Sequence, residues 1–339
     1  MKKIPLLILL AAGALAAAGP KIVIAGGDRY SWATSDKAME GYRAAVADGT
    51  IILTRSAAEV DKEIVDADGI IGGVTQAQFA KAKKLRWVQT YSAGVENLRW
   101  KEFLESNVTL TNCKIVQGPN IADHAFAMLL ALTRGLNRYI PGKVNQEWSR
   151  DEAGLTELKD MTAVIIGVGG IGSQIAQRAH GFGMKVIGVD PKDIAPGINV
   201  SQIVEPERLD EVLPQADVVF VSAPLTPQSR HMMAQRQFDL MKRNSYFIAV
   251  SRGGLYDTPA LMNALDSKKL AGAGLDVTDP EPLPKGHALW NFPNVVITPH
   301  IAGQSPGSFD RRVATIRENI RRFAKGERMI NIVDKQRGY

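Results

Sequence analysis

Short apolar runs separated by amphipathic stretches set the pattern of the chain from Lys21 onward. The runs at 22–25, 51–53, 69–71 and 87–91 are each too short for a helix, and polar helical stretches such as 35–47 separate them. Such alternation predicts parallel strands joined by crossover helices. A second, stronger series begins at Met161 with TAVIIGVG, MKVIGVD, DVVFVSAP, SYFIAVS, AGAGLDV and NVVITPH. Six strands with intervening helices predict a complete doubly wound sheet. Between the two series, residues 120–138 carry the spacing of one long helix introduced by Gly118-Pro119, and a domain crossover is expected there. After His300 the strands stop, and a basic amphipathic segment at 311–328 is expected to return as a helix onto the first domain. Its cations Arg311, Arg312, Arg317, Arg321, Arg322 and Lys325, interspersed with Glu318 and Glu327, read as a solvated face.

The 339 residues leave room for two domains with full cores. At 45% hydrophobic and 22% charged, the composition excludes disordered, collagen-like and multi-span membrane classes. One cysteine, Cys113, excludes an intrachain disulfide and a cysteine-based zinc cage, so no metal site is expected. A net charge of +6 is only mildly basic and implies no nucleic-acid partner. Residues 1–18 change the picture of where the protein resides. Lys2 and Lys3 precede an uncharged apolar stretch from Ile4, which ends in small residues before Gly19-Pro20. That order is the order of a secretory signal peptide, with cleavage expected after Ala16 or Ala18. The stretch is shorter than the roughly 18 residues of a spanning helix, so export to the periplasm or medium without a lasting membrane anchor is expected. The alternative is a cytoplasmic protein that keeps the stretch as a buried N-terminal helix.

The strand TAVIIG runs into Gly167, Val168, Gly169, Gly170, Ile171 and Gly172, and a helical segment follows. A G-x-G-x-x-G between strand and helix, with an acidic residue at the end of the next strand, is the full dinucleotide fingerprint. Asp190 is that residue. Gly167 allows the tight turn, Gly169 lets backbone approach a pyrophosphate, and Gly172 lets helix and sheet pack closely. The helix start supplies unpaired N–H donors to the phosphates. Asp190 accepts hydrogen bonds from ribose hydroxyls and repels a 2′-phosphate, which favours NAD over NADP, although Lys192 nearby softens the repulsion.

Three further segments end strands with candidate chemistry: AVSRGG with Arg252, DVTDPEPLP with Glu281 between two prolines, and NVVITPHIAG with His300. Ligands of open α/β sheets bind outside the strand carboxyl ends, so all three are expected at one crevice. The other histidines, His124, His180, His231 and His287, follow no such pattern and read as structural or exposed.

Together with SAPLTPQSRHMM at 222–233 and SRGGLYDTPAL at 251–261, these segments make the chain from Lys21 onward resemble the D-isomer-specific 2-hydroxyacid dehydrogenases. The resemblance implies a Rossmann-type doubly wound domain at 119–303, inserted into a discontinuous flavodoxin-like α/β substrate domain at 21–118 and 304–339. It implies Arg252, Glu281 and His300 as the catalytic set. Cofactor contacts would come from the glycine loop with Asp190, and from Ala223, Pro224, Ser251 and Asp276. The substrate carboxylate would meet main-chain N–H groups of Ser92, Ala93, Gly94 and Val95, with Gly73 nearby. Reduction of a 2-oxoacid needs a proton at the carbonyl oxygen, which a histidine can give. A carboxylate beside it, Glu281, favours the imidazolium, and the fork of Arg252 can hold the substrate carboxylate and polarise the carbonyl. A homodimer is also implied, with Trp148 on a polar arm that grips a neighbour. No appended regulatory domain is expected. Formate dehydrogenases of this superfamily carry glutamine where Glu281 stands and are rejected. A phosphite dehydrogenase-like enzyme and an NAD(H)-sensing corepressor-like binding protein remain as alternatives.

Overall fold

The computed structural model describes residues 19–148, 150, 154–192, 194 and 196–339, and the expected leader at 1–18 lies outside them. Two parallel sheets organise the chain. The first joins β1 (Lys21–Ala25), β2 (Thr50–Thr54), β3 (Gly69–Ile71), β4 (Trp87–Gln89) and β5 (Thr109–Thr111) in the order β2-β1-β3-β4-β5. This is the flavodoxin-like order, with its switch point between β1 and β3. The second joins β6 (Thr162–Ile166), β7 (Lys185–Val189), β8 (Gln202–Val204), β9 (Val218–Val221), β10 (Ser245–Ala249), β11 (Leu270–Leu275) and β12 (Val295–Ile297). Its order, β12-β11-β10-β9-β6-β7-β8, reverses between β6 and β9 as a Rossmann sheet does.

Two strands go beyond the sequence reading. β5 (TLT) and β8 (QIV) are three residues long and partly polar, so neither has an apolar run of its own, and each is a sheet edge defined only by its neighbour's register. The single helix expected over 120–138 is two helices, Gly118–Thr133 and Leu136–Val144, because Gly135 at φ 68° takes the left-handed conformation that ends the first. Alternation within each strand divides the larger core. Val164, Val219 and Phe247 face the helices Gln235–Leu240 and Thr258–Asp266, while Ile165, Phe220 and Ile248 face Gly118–Thr133 and Gly172–Gly181.

The last helix, Pro306–Ala324, is capped by Ser305, whose Oγ accepts from Ser308 N at 3.1 Å. It returns to the first sheet, where Ile316 and Ile320 pack with Ile22, Tyr42 and Trp87. Its basic face is only partly the solvated face expected from sequence. Arg321 and Arg322 do lie at the surface and pair with Glu318, pulling that carboxyl down to about 2. Arg312, in contrast, is buried, because its position points back toward the loop preceding the helix.

A buried polar network ties this helix to the sheet. Asn319 Nδ2 donates to Gln89 Oε1 (2.9 Å) and Ile330 O (3.1 Å), and its Oδ1 accepts from Ile330 N at 2.8 Å. Gln89 Oε1 also accepts from Thr111 Oγ1 (2.8 Å), which in turn accepts from Trp87 Nε1 (2.7 Å). Removing one member strands its buried partners. Asn319→Ala is expected to destabilise the protein by about 1–3 kcal/mol in urea unfolding, through the orphaned Ile330 amide. Unchanged stability would mean that water replaces the amide without loss.

Candidate active site

The glycine loop leaves β6 with Gly167 at φ 89°, where an added Cβ would lie 2.6 Å from the backbone of Ala223. At Gly172 an added Cβ would overlap the Gly167 carbonyl, so helix and loop touch backbone to backbone. The amides of Gly169, Gly170, Ile171 and Gly172 find no acceptor among the described residues, and the space beside Gly169 is open. They stand at the start of the helix Gly172–Gly181, where unpaired donors and the helix dipole favour an anion. Asp190 accepts from Val168 N (2.8 Å) and Lys192 N (2.9 Å), one bond on each carboxylate oxygen, so each oxygen keeps a lone pair. Free donors for a pyrophosphate and a placed acceptor for a ribose fit a dinucleotide. Ala223 closes the loop from β9, Ser251 Oγ donates to Val221 O at 3.2 Å, and Pro224 O accepts from Ser229 Oγ at 2.7 Å. Ile115, exposed and at φ 77°, abuts Gly170 from the other domain.

Arg252 stands just past β10 and reaches across to the first domain. Its Nε and Nη2 donate to the two oxygens of Glu96 (3.0 and 3.4 Å), and its Nη1 donates to Ser251 O at 2.7 Å. One N–H therefore remains on each terminal nitrogen. A Cβ on Gly94 would overlap the guanidinium, so the loop of Ser92, Ala93, Gly94 and Val95 lies directly against it. Among the described residues the amides of that loop, and of Gly73 and Val74, have no acceptor. Gly72 and Gly73 follow β3 at φ 109° and 95°. Open amides and two outward guanidinium N–H groups at one wall make a cradle for a carboxylate.

His300 follows β12, the sheet neighbour of β11 and, one strand further, of β10. Its Nδ1 lies 2.6 Å from Glu281 Oε1, and its Nε2 has no partner among the described residues. The residue sits at φ 53°, and its amide donates to Asp276 O (2.9 Å) and Thr298 O (3.0 Å). Asp276, placed by sequence among the cofactor contacts, is fully buried. Its carboxylate accepts from Thr298 Oγ1 (2.6 Å) and from the amides of Ile301 and Ala302, both at 3.0 Å. His124 Nε2 reaches Thr298 Oγ1 at 2.8 Å and stands 3.6 Å from Asp276.

The sequence-derived residues thus stand just past the carboxyl ends of β6, β7, β9, β10, β11 and β12 in one sheet and of β3 and β4 in the other. Glu96 and Thr298 join them without having been singled out, and His124, read from sequence as structural or exposed, stands beside Thr298 and Asp276. Glu96 directly follows the loop 92–95, but only the pairing with Arg252, 156 positions away in sequence, reveals it. Cys113 takes no part as a nucleophile, since burial pushes its thiol up to about 12.

Known proteins resemble this chain along most of its length. Residues 126–302 match the family model of the D-isomer specific 2-hydroxyacid dehydrogenase NAD binding domain. A glyoxylate reductase of Korarchaeum cryptofilum is 32% identical over 286 residues, covering 81% of this chain and 85% of that protein. A D-3-phosphoglycerate dehydrogenase of Methanocaldococcus jannaschii is 32% identical over 284 residues, and there the chain spans only 53% of the relative's length. The crystal structure of a D-lactate dehydrogenase from Aquifex aeolicus, complexed with NAD and lactic acid, is 26% identical. It superposes with a TM-score of 0.75 over 92% of this chain and 99% of that one. By family model, by relatives spanned over most of their length and by fold, the chain belongs to the D-isomer specific 2-hydroxyacid dehydrogenase family.

Proposed function

We propose that the protein is an NAD-dependent oxidoreductase that interconverts a 2-oxoacid and the corresponding D-2-hydroxy acid. The observation that supports this reading is the His300–Glu281 pair at 2.6 Å beyond β12, with the Arg252 fork beyond β10 lying against the unpaired amides of the loop 92–95. The cofactor, when bound, supplies the hydride that forms the new C–H bond at the carbonyl carbon. The residues of this chain do the rest. Arg252 and the amides of Ser92, Ala93, Gly94 and Val95 hold the substrate carboxylate. His300 gives its Nε2 proton to the carbonyl oxygen as the C=O π bond breaks, and takes it back in the oxidative direction. Glu281, fixed on Nδ1 at 2.6 Å, holds the ring orientation and leaves Nε2 toward the substrate. His300→Ala is expected to lower kcat by roughly 10²–10⁴ with glyoxylate, pyruvate or hydroxypyruvate at saturating NADH, while NADH binding persists. Wild-type turnover in that variant would remove His300 from the reaction.

Cofactor choice rests on Asp190, whose remaining lone pairs suit a ribose diol and repel a 2′-phosphate. NADH is expected to have the higher kcat/KM. Asp190→Ala should narrow the NADH-to-NADPH ratio, and a ratio left unchanged would mean that another group reads the ribose.

A homodimer accompanies this reading. Leu136, Ile140 and Val144 are exposed at four-residue spacing on one helix, and Trp148 beyond it is 90% exposed. Such a stripe needs a partner to leave water. Light scattering at micromolar concentration should give twice the monomer mass, and Val144→Glu should shift it toward the monomer. A wild-type monomer would refute the pairing.

A further inference from the structure

Arg312 is the buried cation that the reaction does not use. It is 4% exposed, and no carboxylate lies within ion-pair distance among the described residues, in contrast to Arg321 and Arg322 on the same helix. Its Nη2 donates to Gly303 O at 2.5 Å, while its Nε has no hydrogen-bond partner. The guanidinium carbon lies 5.2 Å from the centre of the Trp32 ring and 5.6 Å from that of Phe309, two rings stacked at 5.3 Å. Aromatic faces attract a cation but accept no N–H···O bond, so they replace only part of its lost hydration. Burial accordingly pulls the Arg312 pKa down. A guanidinium kept in this state is a binding group short of its anion.

Its place in the fold says which anion. Gly303 is three residues beyond His300, and Trp32 packs on Tyr91, the residue before the loop 92–95, at 5.5 Å. Arg312 and its aromatic wall therefore bridge the loop that donates the proton and the loop that holds the carboxylate. A 2-oxoacid has a trigonal reacting carbon. One of its three in-plane substituents is fixed by Arg252 and the loop 92–95, and a second, the oxygen, by His300. The third, the side chain, is left to run along the wall between those two loops, which is where Trp32, Phe309 and Arg312 stand.

We propose that Arg312 is a specificity-determining residue whose missing counter-charge comes from the substrate, so that the preferred substrate is a 2-oxo dicarboxylic acid with its distal carboxylate on this guanidinium. The proposal rests on the reductase reading above and names the substrate class of that same site. A planar carboxylate matches the guanidinium fork, and the aromatic faces suit the methylene groups between the two acid groups.

The test compares acids that differ only at the distal end. With the full chain at saturating NADH, oxaloacetate is set against 4-methyl-2-oxopentanoate and 2-oxoglutarate against 5-methyl-2-oxohexanoate. At least one dicarboxylate should exceed its neutral counterpart in kcat/KM by about 10- to 100-fold, the range expected of one charged hydrogen-bonded pair. Arg312→Met, which keeps length and apolar bulk, should bring that ratio to about one. Arg312→Lys, which keeps the charge, should retain part of it. Calorimetric titration with succinate and glutarate, which cannot be reduced, should show binding that butyrate and pentanoate lack and that Arg312→Met loses. Should Arg312→Met fail to fold, the wild-type ratios and titrations still decide. If pyruvate or glyoxylate is reduced but neither dicarboxylate has an advantage, the proposal falls and the reductase reading stands. If no 2-oxoacid is reduced, the reductase reading falls, and absence of succinate and glutarate binding would overturn the anion site as well.

Discussion

The buried carboxylate of Asp276 fixes the turn on which His300 stands. It follows β11, accepts from the Thr298 hydroxyl on one side and from the amides of Ile301 and Ala302 on the other, while its own carbonyl accepts the His300 amide. That enclosure holds His300 at φ 53°, a conformation that a non-glycine residue adopts only when its surroundings impose it. The imidazole is thereby aimed by backbone, and Glu281 then needs only one short bond to set its rotation. A buried acid with this many donors is the sort of satisfied polar cluster that specifies one geometry and no other.

The remaining groups stand at separate strand ends, so precision depends on contact between the two domains. The Arg252–Glu96 pair makes that contact, but both side chains are partly exposed, at 29% and 36%. An ion pair so hydrated adds little stability. What it adds is orientation, because Glu96 occupies the inner edge of the fork and leaves the outer N–H groups toward the unpaired amides of the loop 92–95. Glycine at position 94 is required for the guanidinium to come that close.

Much of this was legible in the sequence where local physics decides. A strand buried on both faces writes itself as a short apolar run, which is why β6, β7, β9 and β10 were readable residue by residue. The glycine loop was legible because each glycine answers a separate close approach. Edge strands β5 and β8 were not, since their pairing is determined by a neighbour and not by their own composition. Arg312 was read with the solvated cations of its helix because charge type says nothing of which face meets the protein. Only the return of that helix beneath the His300 turn places it inside. Glu96 and His124 share the same difficulty, since their partners lie 156 and 174 positions away in sequence.

Asp190 joins the glycine loop to the rigidity of the sheet. The oxygen that bonds Val168 N braces the glycine loop from the second strand, and the one that bonds Lys192 N shapes the turn after that strand. Its free lone pairs are aimed only because the other two are already spent on backbone. The amides of Gly169, Gly170, Ile171 and Gly172 stay unpaired for a related reason, since a loop held from Asp190 and from Ala223 cannot fold back to satisfy them. Donors left open in this way are preorganised for a ligand's anion, because the cost of arranging them falls on the folding of the domain and not on binding. The same logic governs the loop 92–95, so both loops present amides that the fold has withheld from itself.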